Sequence, residues 1–290
     1  LTVVLLAAFA VPQAAVGQIS LPQDATTVTS DFNSFRGNGF APSPSSGQLD
    51  SDNFIATGLS EGGLSFGGTE TSGDFANGSS SGGVGTGGIY AFETTLNDFS
   101  LGVQPGGDDF TPGTFVVKYQ NNTGGPISEF DLSYEIKVFN DQGRANSFNS
   151  AHASGTCGST PGSFTDLSGL DFTSPKAADG TPSWSTTMRQ TTVSSVNIAN
   201  GDCLFVRFTS GDVSGGGNRD EFAVDDLSVT PNPDAPRVQF TTASATVSEG
   251  EGATTLAVEI FNAPSQSVTV DVAFDGGSST ATTGDVGSSS

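Results

Sequence analysis

Several stretches of the chain alternate apolar and polar residues with a period of two. Residues 114–120 (TFVVKYQ) set Phe115, Val117 and Tyr119 against Val116 and Lys118. Residues 129–139 (EFDLSYEIKVF) set Phe130, Leu132, Tyr134, Ile136 and Val138 against Asp131, Ser133, Glu135 and Lys137. Residues 203–208 (CLFVRF) put Leu204, Val206 and Phe208 opposite Phe205 and Arg207, and residues 222–229 (FAVDDLSV) form a further strand. Near the C-terminus, Leu256, Val258 and Ile260 alternate with Ala257, Glu259 and Phe261. Val268, Val270, Val272 and Phe274 then alternate with Thr269, Asp271 and Ala273. Alternation of this kind lays one face of a strand on a core and the other in water. The run Asn121-Asn122-Thr123-Gly124-Gly125 is a turn signal, so the first two strands are expected to form a long hairpin central to a sheet. No stretch keeps a helical apolar period between caps. The pattern predicts an all-β chain.

Residues 58–88 are rich in Gly and Ser, yet Phe66, Phe75, Val84 and, just beyond, Ile89, Tyr90 and Phe92 recur through and after them. They read as short strands joined by Gly turns. No strand-to-helix unit surrounds these glycines, which argues against a phosphate-binding loop. Only 14% of residues are charged, but 22 Phe supply the aromatic surface that a disordered chain lacks.

The net charge of −22 repels nucleic-acid phosphates and anionic lipid, so neither is expected as a partner. The same charge attracts cations. Only three lysines occur: Lys118, Lys137 and Lys176.

Leu1 to Val11 form an apolar run, followed by Pro12 and by the small-residue site Ala15-Val16-Gly17. Residues 1–17 are expected to be a signal peptide, with a mature start near Gln18. The alternative is a buried first strand. The run is too short to span a bilayer, and no transmembrane span is expected in the mature chain. An exported chain favours a disulfide between its two cysteines, Cys157 and Cys203, contributing about 4 kcal/mol on the chain-entropy model; the alternative is two buried thiols. Neither has metal-ligand spacing.

Residues 231–237 (PNPDAPR) hold three prolines and read as a linker. Residues 18–230 are then one large β-sandwich, and residues 238–290 a second module. The second module carries Val238-Gln239-Phe240, then Ser248-Glu249-Gly250-Glu251-Gly252, two strands, and Ala281-Thr282-Thr283-Gly284-Asp285. It resembles the opening half of a Calx-beta domain, which implies an incomplete Ig-like sandwich and an extracellular or regulatory module. The larger region carries DFNSF (31–35), TGGIYAF (86–92), NDQGRANSF (140–148) and GNRDEFAVDDLSV (217–229). It resembles a jelly-roll, concanavalin-like domain of exported bacterial proteins. Its opening Asp-Phe and closing Ala-Val-Asp-Asp-Leu also look like the ends of MAM-type domains. The resemblance implies an adhesive or accessory role.

Two sites stand out. Asp225 and Asp226 are neighbours in a strand, so one of them points inward or at the sheet edge, where a carboxylate needs a cation or several donors. One reading is calcium, with Asp31 and Asn33 from the first strand as further ligands. The other is a salt bridge from Arg144, Arg207 or Arg219 with backbone N–H groups. The Calx-beta resemblance implies a second calcium site at Glu249 and Asp285; there the later acidic cluster of the family is absent. Catalysis finds little support. His152, the single histidine, sits in an Ala/Ser/Gly-rich stretch that reads as an exposed loop. Trp184, the single tryptophan, reads as a core or rim residue sooner than as a sugar platform. The reading is a non-enzymatic, secreted or cell-surface protein of adhesion or matrix type, with structural calcium and with surface glycans or surface proteins as partners. The alternatives are a carbohydrate-binding module and an accessory domain of an exported hydrolase.

Overall fold

The structure is a computed structural model that describes residues 2–5, 18–233, 237–240, 245–248 and 257–261. The chain divides into two compact units, residues 14–233 and residues 1–13 with 234–290.

The larger unit is a sandwich of two seven-stranded sheets. The first sheet runs Thr165–Asp166, Arg144–Gly155, Cys203–Gly215, Gly113–Asn121, Ile19–Leu21, with Phe172–Thr173 added to the second strand and Phe54–Thr57 to the fourth. The second sheet runs Trp184–Ile198, Ile127–Phe139, Glu221–Pro233, Asp98–Gln104, Gly88–Thr95, Ser79–Ser80, with Val28–Ser30 on Glu221–Pro233. Most pairings are antiparallel, and the all-β sandwich expected from the alternation is the fold observed.

The apolar faces meet between the sheets. Phe148 of the first sheet stacks on Phe222 of the second, with ring centroids 5.6 Å apart and an interplanar angle of 11°. Tyr134 of the second sheet meets Phe208 of the first edge-on at 5.0 Å. Offset and edge contacts of this kind add about 0.5–1.5 kcal/mol each beyond area burial.

The expected hairpin is not one. Gly113–Asn121 lies in the first sheet and Ile127–Phe139 in the second, so the Asn-Asn-Thr-Gly-Gly segment arches from sheet to sheet. Asn121 holds this arch: its Nδ2 donates to the carbonyls of Gly125 (2.9 Å) and Ile198 (2.8 Å), and its Oδ1 accepts from Thr123 Oγ1 (2.7 Å). Alternation and a turn signal suit an arch as well as a hairpin, because in both cases the apolar faces turn toward the same core.

Two long strands carry no apolar alternation to announce them. Trp184–Ile198 is an edge strand, paired only with Ile127–Phe139. With solvent on one flank it is built mainly from Ser, Thr, Gln and Asn. Arg144–Gly155 includes the stretch read as an exposed loop. His152 lies in this strand, opposite Val206, half-buried, with its ring edge-on to Phe130 at 5.7 Å. Residues 58–88 form fewer strands than expected: the two-residue strand Ser79–Ser80, a 3-10 turn at Gly73–Phe75 and isolated bridges between Leu59 and Gly62 and between Glu70 and Phe40. Phe75 and Leu64 anchor this loop by burial.

The proline-rich segment also departs from expectation. Pro231 and Pro233 continue the last strand, opposite Phe130 and Ile127. Pro is tolerated there because no third strand needs the missing N–H.

In the second unit, Thr2–Leu5 pairs antiparallel with Ala245–Ser248, and Arg237–Phe240 with Val258–Phe261. The expected strand at 268–274 lies outside the described residues, as do Glu249 and Asp285.

Candidate functional site

The outer face of the second sheet carries the predicted carboxylates. In Ile127–Phe139, Ile136 and Val138 point to the main core, which leaves Glu135, Lys137 and Phe139 on the opposite face. In Glu221–Pro233, Phe222 and Val224 point to the core, which leaves Glu221, Ala223 and Asp225 opposite. Strand pairing then brings Asp225 beside Lys137. Lys137 Nζ lies 2.7 Å from Asp225 Oδ2 and 3.1 Å from Asp98 Oδ2, and donates to Thr94 Oγ1 at 3.0 Å. Asp225 Oδ2 also accepts from Ser100 Oγ (2.8 Å), and its Oδ1 from the Asp226 N–H (2.9 Å). Burial opposes the charge on Lys137, but Asp225 and Asp98 together hold its pKa above the ordinary lysine value.

The cation that meets Asp225 is therefore Lys137, and none of the three arginines expected there. Arg144 and Arg219 both pair with Asp212, Arg219 through Nη2 at 2.7 Å, and Arg207 approaches Asp166 at 4.0 Å. Asp31 Oδ1 accepts from the Asn33 N–H, and Asn33 Oδ1 from the Phe99 N–H (3.0 Å), which brings both near Asp98. Asp226 sits where the register shifts between Ser133 and Glu135, with φ of 46°. Its pKa is raised, by burial first and then by Glu135, Asp98 and Asp31. The structure thus brings Asp31, Asn33, Asp225 and Asp226 into one neighbourhood, where Lys137 pairs with Asp225 and Asp98. Among the described residues no group of three or more His, Cys, Asp or Glu is arranged to hold a metal ion.

Further along the same face, Tyr90, Phe92, Val84, Ala223 and Trp184 form a second apolar cluster. Trp184 packs on Phe92 (4.9 Å) and Phe139 (5.5 Å) and donates its indole N–H to the Ser81 carbonyl at 2.8 Å. Tyr90, Tyr119 and Tyr134 are buried. None of these rings is a free sugar-stacking platform, and Trp184 is the rim residue expected. The loop over them needs Gly82: its φ is 111°, and a Cβ there would sit 2.8 Å from the Phe139 ring.

A cleft of about 220 Å³ opens on the outer face of the first sheet, lined mostly by polar residues. Asn149, Arg207 and Thr209 come from its strands, and Asp166, Ser168 and Asp171 from the segment that crosses it. The Arg207 guanidinium lies over the Phe164 ring at 4.3 Å, and the buried Arg207 Nε makes no hydrogen bond. Sequence reasoning placed Arg207 with Phe205 on the strand face opposite Leu204, Val206 and Phe208 but missed the cleft. Asp166 and Asp171 lie more than thirty residues from Arg207, in a segment with no strand pattern of its own.

Cys157 and Cys203 form the expected disulfide. It ties the segment after Gly155 to the start of Cys203–Gly215. Lys118, buried on the outer face of the same sheet, donates to the Cys157 carbonyl at 3.1 Å and lies over the Phe66 ring at 4.3 Å. Burial lowers the pKa of His152. Among the described residues no helix is long and apolar enough to cross a membrane.

No family model matches the chain, and no curated protein matches it. Solved structures share partial likeness. The K3 cleaved adhesin domain of Lys-gingipain from Porphyromonas gingivalis w83 is 16% identical over 47% of this chain and 76% of that one, with a TM-score of 0.30. A family 16 carbohydrate-binding module is 13% identical over 49% and 84%, with a TM-score of 0.26. TmCBM61, solved with β-1,4-galactotriose, is 8% identical over 47% and 72%, with a TM-score of 0.23. At these scores the shapes agree too little to carry an argument about this chain.

Proposed function

We propose that the chain is a non-enzymatic, exported surface or matrix module that binds glycan in the cleft around Arg207. The observation that carries this reading is the cleft lining: a guanidinium lying over the Phe164 ring, flanked by Asn149, Thr209, Asp166 and Asp171. Sugar hydroxyls donate and accept at once. They are met by acceptor-only carboxylates, a donor-only guanidinium and bifunctional amide and hydroxyl groups in one place. A nucleic acid is disfavoured by the net charge of −22. Against catalysis stands the placement of His152 in a strand facing Phe130 rather than in a cleft. The disulfide suits an oxidising compartment. The module from residue 238 is read as the start of a Calx-beta domain that continues the extracellular theme.

The test is a glycan array with the purified chain and its Arg207→Ala variant. The reading expects binding to a small set of glycans that Arg207→Ala loses. An array without hits, or hits that Arg207→Ala retains, overturns it.

A further inference from the structure

Phe139 pairs with Glu221 on one side and with Trp184 on the other. The strand then turns through Asn140 and Asp141. Glu221 is fully buried on the outer face of the second sheet. Its Oε1 accepts from the Val84 N–H at 2.6 Å, but its Oε2 is sealed from solvent and meets no N–H or hydroxyl donor. Asp141 Oδ1 is likewise sealed and meets no such donor. The two carboxyls act on one another directly, since Asp141 contributes both charge and a side-chain hydrogen bond, one shared proton between the two groups, to the environment of Glu221. Gln104 lies on the adjoining strand, next to Val103, the register partner of Phe222. Its Nε2 donates to the Pro105 and Arg219 carbonyls, and its buried Oε1 is also without a donor. Among the described residues no Lys or Arg forms an ion pair with Glu221 or Asp141.

Buried oxygens are almost always satisfied, and a buried carboxylate facing another is costly unless a cation or a shared proton lies between them. The Lys137 cluster on the same face shows how this fold answers that need elsewhere, with an ammonium against Asp225. At Glu221 and Asp141 no such side chain is supplied. We propose that a hard divalent cation of the calcium class bridges Asp141 and Glu221, with Gln104 Oε1 and main-chain carbonyls completing an oxygen-only shell. The donor set contains two carboxylates and a carboxamide, with neither sulfur nor imidazole. That matches a flexible six- to eight-oxygen calcium site better than zinc or copper chemistry. The cation would pin Val84 and its loop onto the aromatic cluster of Tyr90, Phe92 and Trp184. The site is separate from the Arg207 cleft, which lies on the other sheet.

Position makes the test specific. Trp184, Phe139 and Glu221 occupy neighbouring strands, so the only tryptophan is about 10 Å of main-chain spacing from the carboxylate. The chain is stripped with EDTA, and terbium is added with excitation at 295 nm, where tryptophan alone absorbs. The proposal expects terbium emission sensitised by Trp184 and displaced by calcium, but not by magnesium at equal concentration. It also expects calcium at a hundredfold excess over Kd to raise the melting temperature by roughly 5–10 °C. Asp141→Asn and Glu221→Gln should abolish both signals. Glu221→Gln keeps the fold testable, because a neutral amide relieves the repulsion. Absence of sensitised emission overturns the proposal, as does a calcium shift that persists in Glu221→Gln. Calcium indifference combined with a stability that depends only on pH would show instead that the pair shares a proton.

Discussion

Lys137 Nζ lies 2.7 Å from Asp225 Oδ2, and both side chains are almost wholly removed from water, at 4% and 2% exposure. Two strands distant in sequence converge to make this contact, which fixes the register of the second sheet at its centre. Replacing Lys137 by Met leaves Asp225 buried with only Ser100 and one main-chain N–H as partners. Chemical denaturation should show a loss of about 3–5 kcal/mol for Lys137→Met. The double variant Lys137→Met with Asp225→Leu should recover much of it. Equal losses in single and double variants would show that the ion pair is not what the sheet needs there.

The pH profile of stability carries the signature of Glu221. Burial first, and then Asp141, push its pKa up to about 8 from an ordinary 4.5. The folded state then holds a proton that the unfolded state releases. In chelated buffer its stabilising effect is complete below about pH 4.5 and is lost as pH rises toward about 8. The melting temperature should fall across that window, and Glu221→Gln should flatten the fall. An unchanged slope in Glu221→Gln would place the titrating group elsewhere.

The disulfide joins residues 46 apart in sequence. Removing it by Cys157→Ala with Cys203→Ala should cost about 4 kcal/mol, because the unfolded chain regains the freedom of that loop. A reductant should lower the melting temperature of the parent chain and leave the double variant unchanged.

Gly102 stands against Phe92, whose Cδ2 would lie 2.1 Å from an added Cβ. Phe92 is fully buried beneath Trp184 and cannot swing away. Gly102→Ala should destabilise the chain by about 1–3 kcal/mol. Gly85→Ala, where a Cβ meets nothing within 4 Å, should change stability little. Equal melting temperatures for the two variants would refute the packing described here.

How much of this was legible in the sequence depended on burial. Glu221–Pro233 and Cys203–Gly215 bury one face in a main core, so their alternation showed. Trp184–Ile198 has solvent on one flank and packs few apolar residues, so its Ser- and Thr-rich sequence gave no period. The argument that Asp225 or Asp226 must meet a cation could be made from adjacency alone. That the cation is Lys137 could not, because it depends on Ile127–Phe139 pairing with Glu221–Pro233 across the chain. The Arg207 cleft was hidden for the same reason: its walls come from a segment whose course over the sheet is set by the Cys157 bridge and by Phe172 pairing with Phe148.

The central claim, glycan recognition around Arg207, is tested most directly by amide chemical-shift mapping while a panel of neutral and acidic oligosaccharides is titrated into the labelled chain. The account predicts saturable shifts at Asn149, Asp166, Ser168, Arg207 and Thr209, with Lys137, Asp225 and Glu221 unmoved. Shifts centred on the second sheet, or none at millimolar oligosaccharide, would contradict it.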